Sequence, residues 1–172
     1  MNRLTKIALG AASVAALASP AFAQDTSTAT ATGTATIVQA ITVHKDTDLQ
    51  FGSIAKPTSG TNSIVVNETT GARTKTGAGD AALMTSTTGR ATYTVSGAAS
   101  TAYSISLPSS TFTLAKSGGS TPLTVTLVRS ATSSTLSAGG TDTFGVGGSF
   151  TIASTTETGA YTGTFDVTVA YN

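Results

Sequence analysis

Few residues in this chain have the types and spacing that catalysis or metal binding requires. His44 is the only histidine and there is no cysteine, so the sequence offers neither a zinc cluster nor a cysteine–histidine nucleophile. Asp46 and Asp48 have the spacing of calcium-loop ligands, but the other oxygen ligands of such a loop are missing. We interpret His44 as an exposed residue at a strand end and the two aspartates as part of a turn at residues 45–48.

Two further groups match catalytic motifs only in part. Glu157 and Asp166 do not follow a pattern that would place a carboxylate pair for glycoside hydrolysis. Residues 145–148 are as glycine-rich as a phosphate-binding loop, but no Lys-Ser/Thr pair and no predicted helix follow them. We expect no catalytic residue, no metal site and no cofactor, and we do not predict an enzyme.

The composition predicts an all-β protein. The 172 residues include 37 Thr, 21 Ser and 18 Gly, whereas only 10% are charged. Threonine favours strands and glycine favours turns. Nine basic and eight acidic residues nearly balance, so we expect no binding of nucleic acid. Without disulfides, core packing must supply the stability.

Residues 1–23 have the features of a secretory signal peptide. Arg3 and Lys6 precede a short apolar run, and Ala21-Phe22-Ala23 matches a cleavage site. The run is shorter than the ~20 residues of a spanning helix, so we expect an exported protein with no transmembrane helix in its mature form. The expected organisation is a signal peptide (1–23), an N-terminal extension (24–37) and one β-sandwich domain (38–172).

The end of the chain has the clearest strand pattern. Apolar and polar residues alternate over residues 161–171, with Gly163 as the exception, as in a strand with one buried face. We expect one long strand whose buried face consists of Phe165, Val167, Val169 and Tyr171. Because the sequence ends directly after it, we expect no later segment to cover its free edge, which would then bind another strand.

The mature N-terminus alternates in the same way but with smaller residues. Thr28 begins a run in which threonine occupies every second position up to Thr36. The inward-facing set of such a strand would be Ala29, Ala31, Gly33, Ala35 and Ile37. This strand could fill a shallow groove but could not form a core of its own.

Between these ends, the sequence predicts about eight to ten short strands with regularly spaced turns, which indicates a sandwich or a barrel. Residues 97–101 are predicted to be a hairpin connection, and residues 68–80 a long polar connection. We expect a bulge at Gly147 and Gly148, and a bulge or a close backbone approach at Gly52.

Three segments together resemble a bacterial family of secreted proteins catalogued as domain of unknown function 4402. They are the alternating N-terminus behind its signal peptide, residues 48–54, and residues 159–172, and the resemblance extends over nearly the whole mature chain. The chain also has a more distant similarity to subunits of alternative and archaic chaperone–usher fimbriae and to spore-coat-U-like domains. The motifs that carry this similarity are Leu-x-Phe-Gly in the second segment, and Gly-x-Tyr-x-Gly and Val-Thr-Val-x-Tyr in the third.

The distant resemblance implies an immunoglobulin-like β-sandwich that is incomplete and is completed by strand donation. It implies that residues 28–37 are the donor strand and that Phe165, Val167, Val169 and Tyr171 line one wall of the acceptor groove. The implied partners are other copies of the protein or related subunits, a periplasmic chaperone and an outer-membrane usher. The implied location is the periplasm and then the cell surface, in a fimbrium.

The sequence departs from the fimbrial pattern in its donor residues, because Ala and Gly bury far less than the ~1.5–3 kcal/mol of a Val or Leu. Two alternatives therefore stay open. The N-terminal strand could pair within its own chain and give a self-complemented monomeric surface protein. A carbohydrate-binding β-sandwich could instead use Tyr93, Tyr103 and Tyr161 as a platform, although the chain has no tryptophan.

Overall fold

The computed structural model describes residues 25–172, so the predicted signal peptide lies outside the described residues. All regular secondary structure in residues 25–172 consists of β-strands, which confirms the all-β prediction. The strands are β1 (Thr42–Thr47), β2 (Ile54–Ala55), β3 (Thr61–Val66), β4 (Arg73–Thr76), β5 (Ala82–Leu83), β6 (Ala91–Ser96), β7 (Ala102–Ser106), β8 (Thr111–Lys116), β9 (Leu123–Arg129), β10 (Ser133–Thr135), β11 (Thr141–Ala153), β12 (Tyr161–Thr162) and β13 (Thr168–Tyr171). Residues 25–172 contain no helix long and apolar enough to cross a bilayer.

The strands form a β-sandwich with a large sheet on one side. The large sheet has the order β1-β6-β11-β9-β8-β12, and β3 and β4 extend it beside β11. A small sheet, β10-β7-β13, and the pair β2-β5 form the opposite layer. All of these strands lie in the compact unit Ile37–Asn172.

Strand β11 organises the large sheet because three strands pair along its thirteen residues. β6 pairs with residues 141–146 and β3 with residues 148–153, while β9 pairs with residues 146–149 on the other edge. Where β3 gives way to β6, a Cβ at Gly147 would overlap the carbonyl oxygen of Val66. The predicted bulge at Gly147 and Gly148 is therefore wrong, because the register is continuous and Gly147 permits a close backbone approach instead.

The core lies between the layers and consists of the inward-facing residues of alternating strands. Phe51 and Phe150 make an edge-on aromatic contact with ring centroids 4.8 Å apart, and Tyr93 stacks on Phe144 at 5.2 Å. Burying each large apolar side chain stabilises the fold by ~1.5–3 kcal/mol. The largest fully buried apolar and aromatic side chains are Tyr103, Ile64, Leu136, Val66, Val95, Val125 and Val146.

Two connections differ from their predictions. Residues 97–101 do not close a hairpin, because β6 belongs to the large sheet and β7 to the small one. The connection therefore crosses between layers, which the similar alternation of the two strands could not reveal. Residues 68–80 contain β4, an edge strand of mostly exposed side chains that lacks the apolar alternation by which strands are recognised.

Candidate strand-binding site

Strand β1 has a core-side face that the second layer covers only in part. β1 pairs with β6 so that Val43 is opposite Val95 and Lys45 is opposite Tyr93. Paired residues share one face of a sheet, so Val43 and Lys45 face the core side. Val95 is completely buried, yet Val43 is 37% exposed and all six residues of β1 are exposed. The second layer approaches β1 through β13, and it therefore covers this face only in part.

The terminal segment is divided between the two layers. β12 pairs with β8 in the large sheet, and β13 pairs with β7 in the small sheet. Residues 163–167 pair with no strand of the described part of the chain, although burial still alternates along them. The prediction of one continuous strand is thus wrong, whereas the predicted alternation is confirmed. The half-buried residues that pack against the core are Phe165, Val167, Val169 and Tyr171.

Gly163 and Phe165 explain why the terminal strand divides. A Cβ at Gly163 would overlap the carbonyl oxygen of Thr113 in β8, so only glycine lets the chain pass β8 at this distance. Phe165 then packs on Phe112 of β8, with ring centroids 5.1 Å apart. The segment leaves β8 and continues to β7, and its backbone between the two strands stays unpaired.

The free edge of β1 and residues 163–171 together border a groove, which we call the edge groove. Its narrow part is a cavity of about 170 Å³, whose lining includes Lys45, Asp48, Tyr93, Phe112 and Phe165. Lys45 Nζ donates to Asp48 Oδ1 at 2.5 Å, and both side chains are more than half exposed. This ion pair therefore lies at the solvent side of the cavity.

The opposite end of the edge groove is bridged by Tyr171. Its hydroxyl donates to the carbonyl oxygen of Gln39 at 2.8 Å and accepts from the backbone nitrogen of Ala98 at 2.6 Å. Gln39 thus lies beside the end of β13, while Lys45 and Gly163 line the same cavity. The two borders of the groove therefore run in opposite directions.

A wider cleft of about 660 Å³ adjoins the narrow cavity and shares part of its lining. Phe150 and Ile152 contribute its apolar surface, and Lys56, Glu157 and Tyr161 contribute polar groups. We call this space the wide cleft. Its volume lies in the range of ~300–1,000 Å³ that is typical of ligand sites.

Arg73 and Gly52 fix the wall shared by the two spaces. Arg73 donates from Nη1 to the carbonyl oxygens of Phe51 (2.6 Å) and Ser53 (3.0 Å), and from Nη2 to that of Met84 (2.6 Å). Gly52 has a φ of 67°, and a Cβ there would lie 2.8 Å from Arg73 Nη1. The atoms that crowd Gly52 belong to the side chains of Ser86, Thr88 and Arg73, so the position requires glycine for side-chain packing and not for the predicted close approach of another backbone segment.

Glu157 is a structural anion of the wide cleft. Lys116 donates to it at 2.9 Å and the Ser120 hydroxyl at 2.8 Å. The hydrogen bonds from Lys116 and then Ser120 lower the pKa of Glu157 to about 2. Its carboxylate is therefore ionised and already paired. Near the narrow cavity, burial and the charges of Asp48 and Asp166 raise the pKa of Tyr93, which keeps its phenol neutral.

The Glu157 interactions predict a loss of stability in acid. Between pH 4.5 and 2, the unfolded chain binds more protons at this carboxyl than the folded chain does, so stability falls as the pH falls through this window. We expect the urea midpoint of Glu157→Gln to depend less on pH between pH 4.5 and 2 than that of the native protein. Ser120→Ala should reduce this pH dependence in part. An unchanged acid dependence in Glu157→Gln would contradict this assignment.

The residues that the sequence offered for catalysis or metal binding have unrelated structural roles. His44 is an exposed residue within β1. The turn predicted at residues 45–48 is wrong, because β1 continues to Thr47 with a register shift between Lys45 and Thr47. Asp46, the extra residue, accepts a hydrogen bond from Thr94 Oγ1 at 2.8 Å. Within residues 25–172, no three His, Cys, Asp or Glu side chains are grouped so that they could hold a metal ion.

The three tyrosines do not form a common platform. Tyr93 and Tyr103 are 7% and 0% exposed, so the prediction that they present their rings to a ligand is wrong. Both occupy inward positions of alternating strands, and Tyr103 donates to Asp142 at 2.9 Å. Only Tyr161 is half-buried beside the wide cleft, where its hydroxyl donates to the carbonyl oxygen of Glu157.

Residues 25–40 are exposed and contain no strand. The residues predicted to be donors are Ala29, Ala31, Gly33, Ala35 and Ile37, and Ile37 is 96% exposed. Their role as a donor strand stays a prediction, as does the acceptor role of residues 165–171. The sequence did not indicate Val43 and Lys45, because only the pairing register shows that these exposed side chains face the core side.

Comparison with known proteins gives one family. A family model described as Domain of unknown function (DUF4402) matches residues 41–171, a range that includes all thirteen strands. Comparisons with curated proteins and with solved structures give no match.

Proposed function

The chain belongs to the family described as Domain of unknown function (DUF4402), and from the edge groove we propose that it is a structural or adhesive subunit of a fimbrium. In this proposal, the N-terminal extension of one copy enters the edge groove of another and completes its sandwich. The product is a head-to-tail contact, which propagates into a filament instead of closing.

One observation carries the proposal: a core-side residue of a paired strand, Val43, is exposed beside an unpaired backbone segment. An added strand would cover Val43 and supply hydrogen-bond partners to residues 163–167, whose ladder positions are empty. Because the two borders of the edge groove run in opposite directions, the added strand would be antiparallel to one border and parallel to the other.

The donor fits this place in length and in pattern. The unpaired border, residues 163–167, is five residues or about 17 Å long when extended, and residues 29–37 are long enough to cover it. The extension alternates throughout, is exposed, and contains no strand of its own. It therefore has free backbone groups to offer to a second copy.

Export and assembly factors complete the proposal. The predicted signal peptide directs the chain to the periplasm, and the filament lies at the cell surface. Before assembly, the open edge groove is a site for aggregation, so a periplasmic chaperone would cover it and an outer-membrane usher would exchange the chaperone for the next subunit. These partners follow from the resemblance of the chain ends to fimbrial subunits.

Disulfide trapping tests the proposal cleanly because the chain has no cysteine. One sample carries Ala31→Cys and the other Val43→Cys, with Ala29→Cys, Gly33→Cys and Ala35→Cys as alternatives for the donor. We expect mild oxidation of the mixture to give disulfide-linked dimers of the two variants. The matched control is Val128→Cys, an exposed valine of the same sheet on the outer face, which we expect not to react with the donor variants.

The same variants distinguish donation from self-complementation. If a chain carrying both Ala31→Cys and Val43→Cys forms only an intrachain disulfide, the protein is a self-complemented monomer and the fimbrial proposal fails. If neither arrangement forms at any donor position, the N-terminal extension does not enter the edge groove at all.

The wide cleft favours a second candidate function, the binding of a saccharide by a surface β-sandwich. Its volume suits a small ligand, and Tyr161 with Phe150 supplies aromatic surface beside Lys56 and Glu157. Screening the mature protein against immobilised glycans, with Tyr161→Ala as the comparison, tests this candidate. The absence of binding, or equal binding by Tyr161→Ala, would count against it.

A further inference from the structure

We infer that the narrow part of the edge groove selects a donor strand with small side chains, and that the strand it fits is the Thr-Ala segment of a second copy. This inference rests on the proposed function and adds to it the side-chain class that the groove accepts. It concerns Ala29, Ala31 and Gly33, which share one face of the extension.

The size of the narrow cavity supports small residues. A volume of about 170 Å³ corresponds to roughly six water-sized positions of ~30 Å³ each. The methyl groups of two alanines use about a third of that space. Three leucine side chains would bring twelve carbon atoms, which would press against Phe112 and Phe165 in the lining of the cavity.

The aromatic lining makes movement of these rings costly. Phe112 and Phe165 pack on each other, and Tyr93 stacks on Phe144 in the core. Forcing additional carbon atoms into a packed site displaces side chains from their preferred rotamers. The cavity is therefore shallow because these rings already fill the space that large donor residues would need.

The charges around the cavity support an uncharged, hydroxyl-rich donor. Lys45 and Asp48 form an ion pair at its solvent side, and Asp166 is close enough to influence Tyr93. The extension has no charged residue between Thr26 and Ile37, so it brings no unpaired charge to this border. Its threonines face away from the cavity and can hydrogen-bond to the polar rim or to water.

Ile37 is the one large apolar residue on the inward-facing side of the extension. By its size it does not fit with Ala29 and Ala31 in the narrow cavity. We therefore place Ile37 outside the narrow part of the edge groove when the strand is bound. The backbone hydrogen bonds of the added strand supply most of the specificity for a strand over a helix or a loop.

The test compares two sets of three leucine substitutions in the full mature chain. The inward variant is Ala29→Leu/Ala31→Leu/Gly33→Leu, and the matched outward variant is Thr28→Leu/Thr30→Leu/Thr32→Leu. Size-exclusion chromatography at one protein concentration measures the fraction of each chain in oligomers. The urea midpoint of each monomer shows that residues 37–172 fold equally in all chains.

We expect the inward variant to lose oligomers about tenfold relative to the native chain, and the outward variant to stay within about twofold. Adding Phe165→Ala to the inward variant enlarges the cavity and should restore part of the loss. If the inward variant oligomerises as well as or better than the native chain, selection for small residues is wrong while strand addition stands. If the native chain forms no oligomers, the proposed function fails and this inference with it.

Discussion

Deleting residues 24–37 is expected to abolish the oligomers of the mature protein. The mature chain, residues 24–172, should give a ladder of detergent-resistant species in unheated denaturing gels and a single band after heating. The chain of residues 38–172 should give only a monomer, because it keeps the edge groove but has no strand to donate. Size-exclusion chromatography of both chains provides the same comparison without detergent.

The deleted chain should remain folded, so the comparison reports on assembly. All thirteen strands and the whole buried core lie within residues 42–171. As a control of unchanged length, Ala31→Pro/Ala35→Pro removes two backbone donors and interrupts a ladder, and it should also abolish the ladder of oligomers. A native mature chain that is a stable monomer would contradict the filament proposal.

Replacing Asn62 with leucine is expected to cause a large loss of stability. Asn62 is 1% exposed. Its Nδ2 donates to the carbonyl oxygens of Thr76 (3.2 Å) and Gly79 (2.9 Å), and its Oδ1 accepts from the backbone nitrogen of Ala81 (3.0 Å). Each buried backbone group left without a partner costs ~1–3 kcal/mol, so we expect the free energy of unfolding to fall by about 3–5 kcal/mol.

Urea denaturation measures this change, and Thr74→Val on the exposed side of β4 serves as a control with an expected effect within about 0.5 kcal/mol. The loss matters for the site because the loop that Asn62 holds leads to β5, the partner of β2. A free energy of unfolding equal to that of the native protein would show that water replaces the asparagine without cost.

The sequence predicts the fold class because the periodicity of two is local. Residues 91–95, 103–107 and 161–171 each show which side chains are buried without reference to any partner strand. Pairing is different, since β6 and β7 alternate alike yet belong to different sheets. Nothing in residues 97–101 decides whether the chain turns back along the same sheet or crosses to the other layer.

The residues of the site likewise include some whose burial the sequence predicts and some whose burial it does not. Half-burial of Phe165 and Tyr171 is predictable from their alternation, because it depends only on the strand to which they belong. The partial exposure of Val43 is not predictable, because it depends on how far the second layer extends over β1. The asparagine at position 62 also gives no local sign that it binds a loop fourteen to nineteen residues further along the chain.

The late position of β11 determines when the large sheet can form. β3, β6 and β9 are made earlier in the chain, and each of them pairs with β11. These strands have no common partner until residue 153 has been synthesised, and such distant pairings form slowly. Local pairs such as β3 with β4 can form early, whereas the large sheet as a whole can close only after the end of β11 has been made.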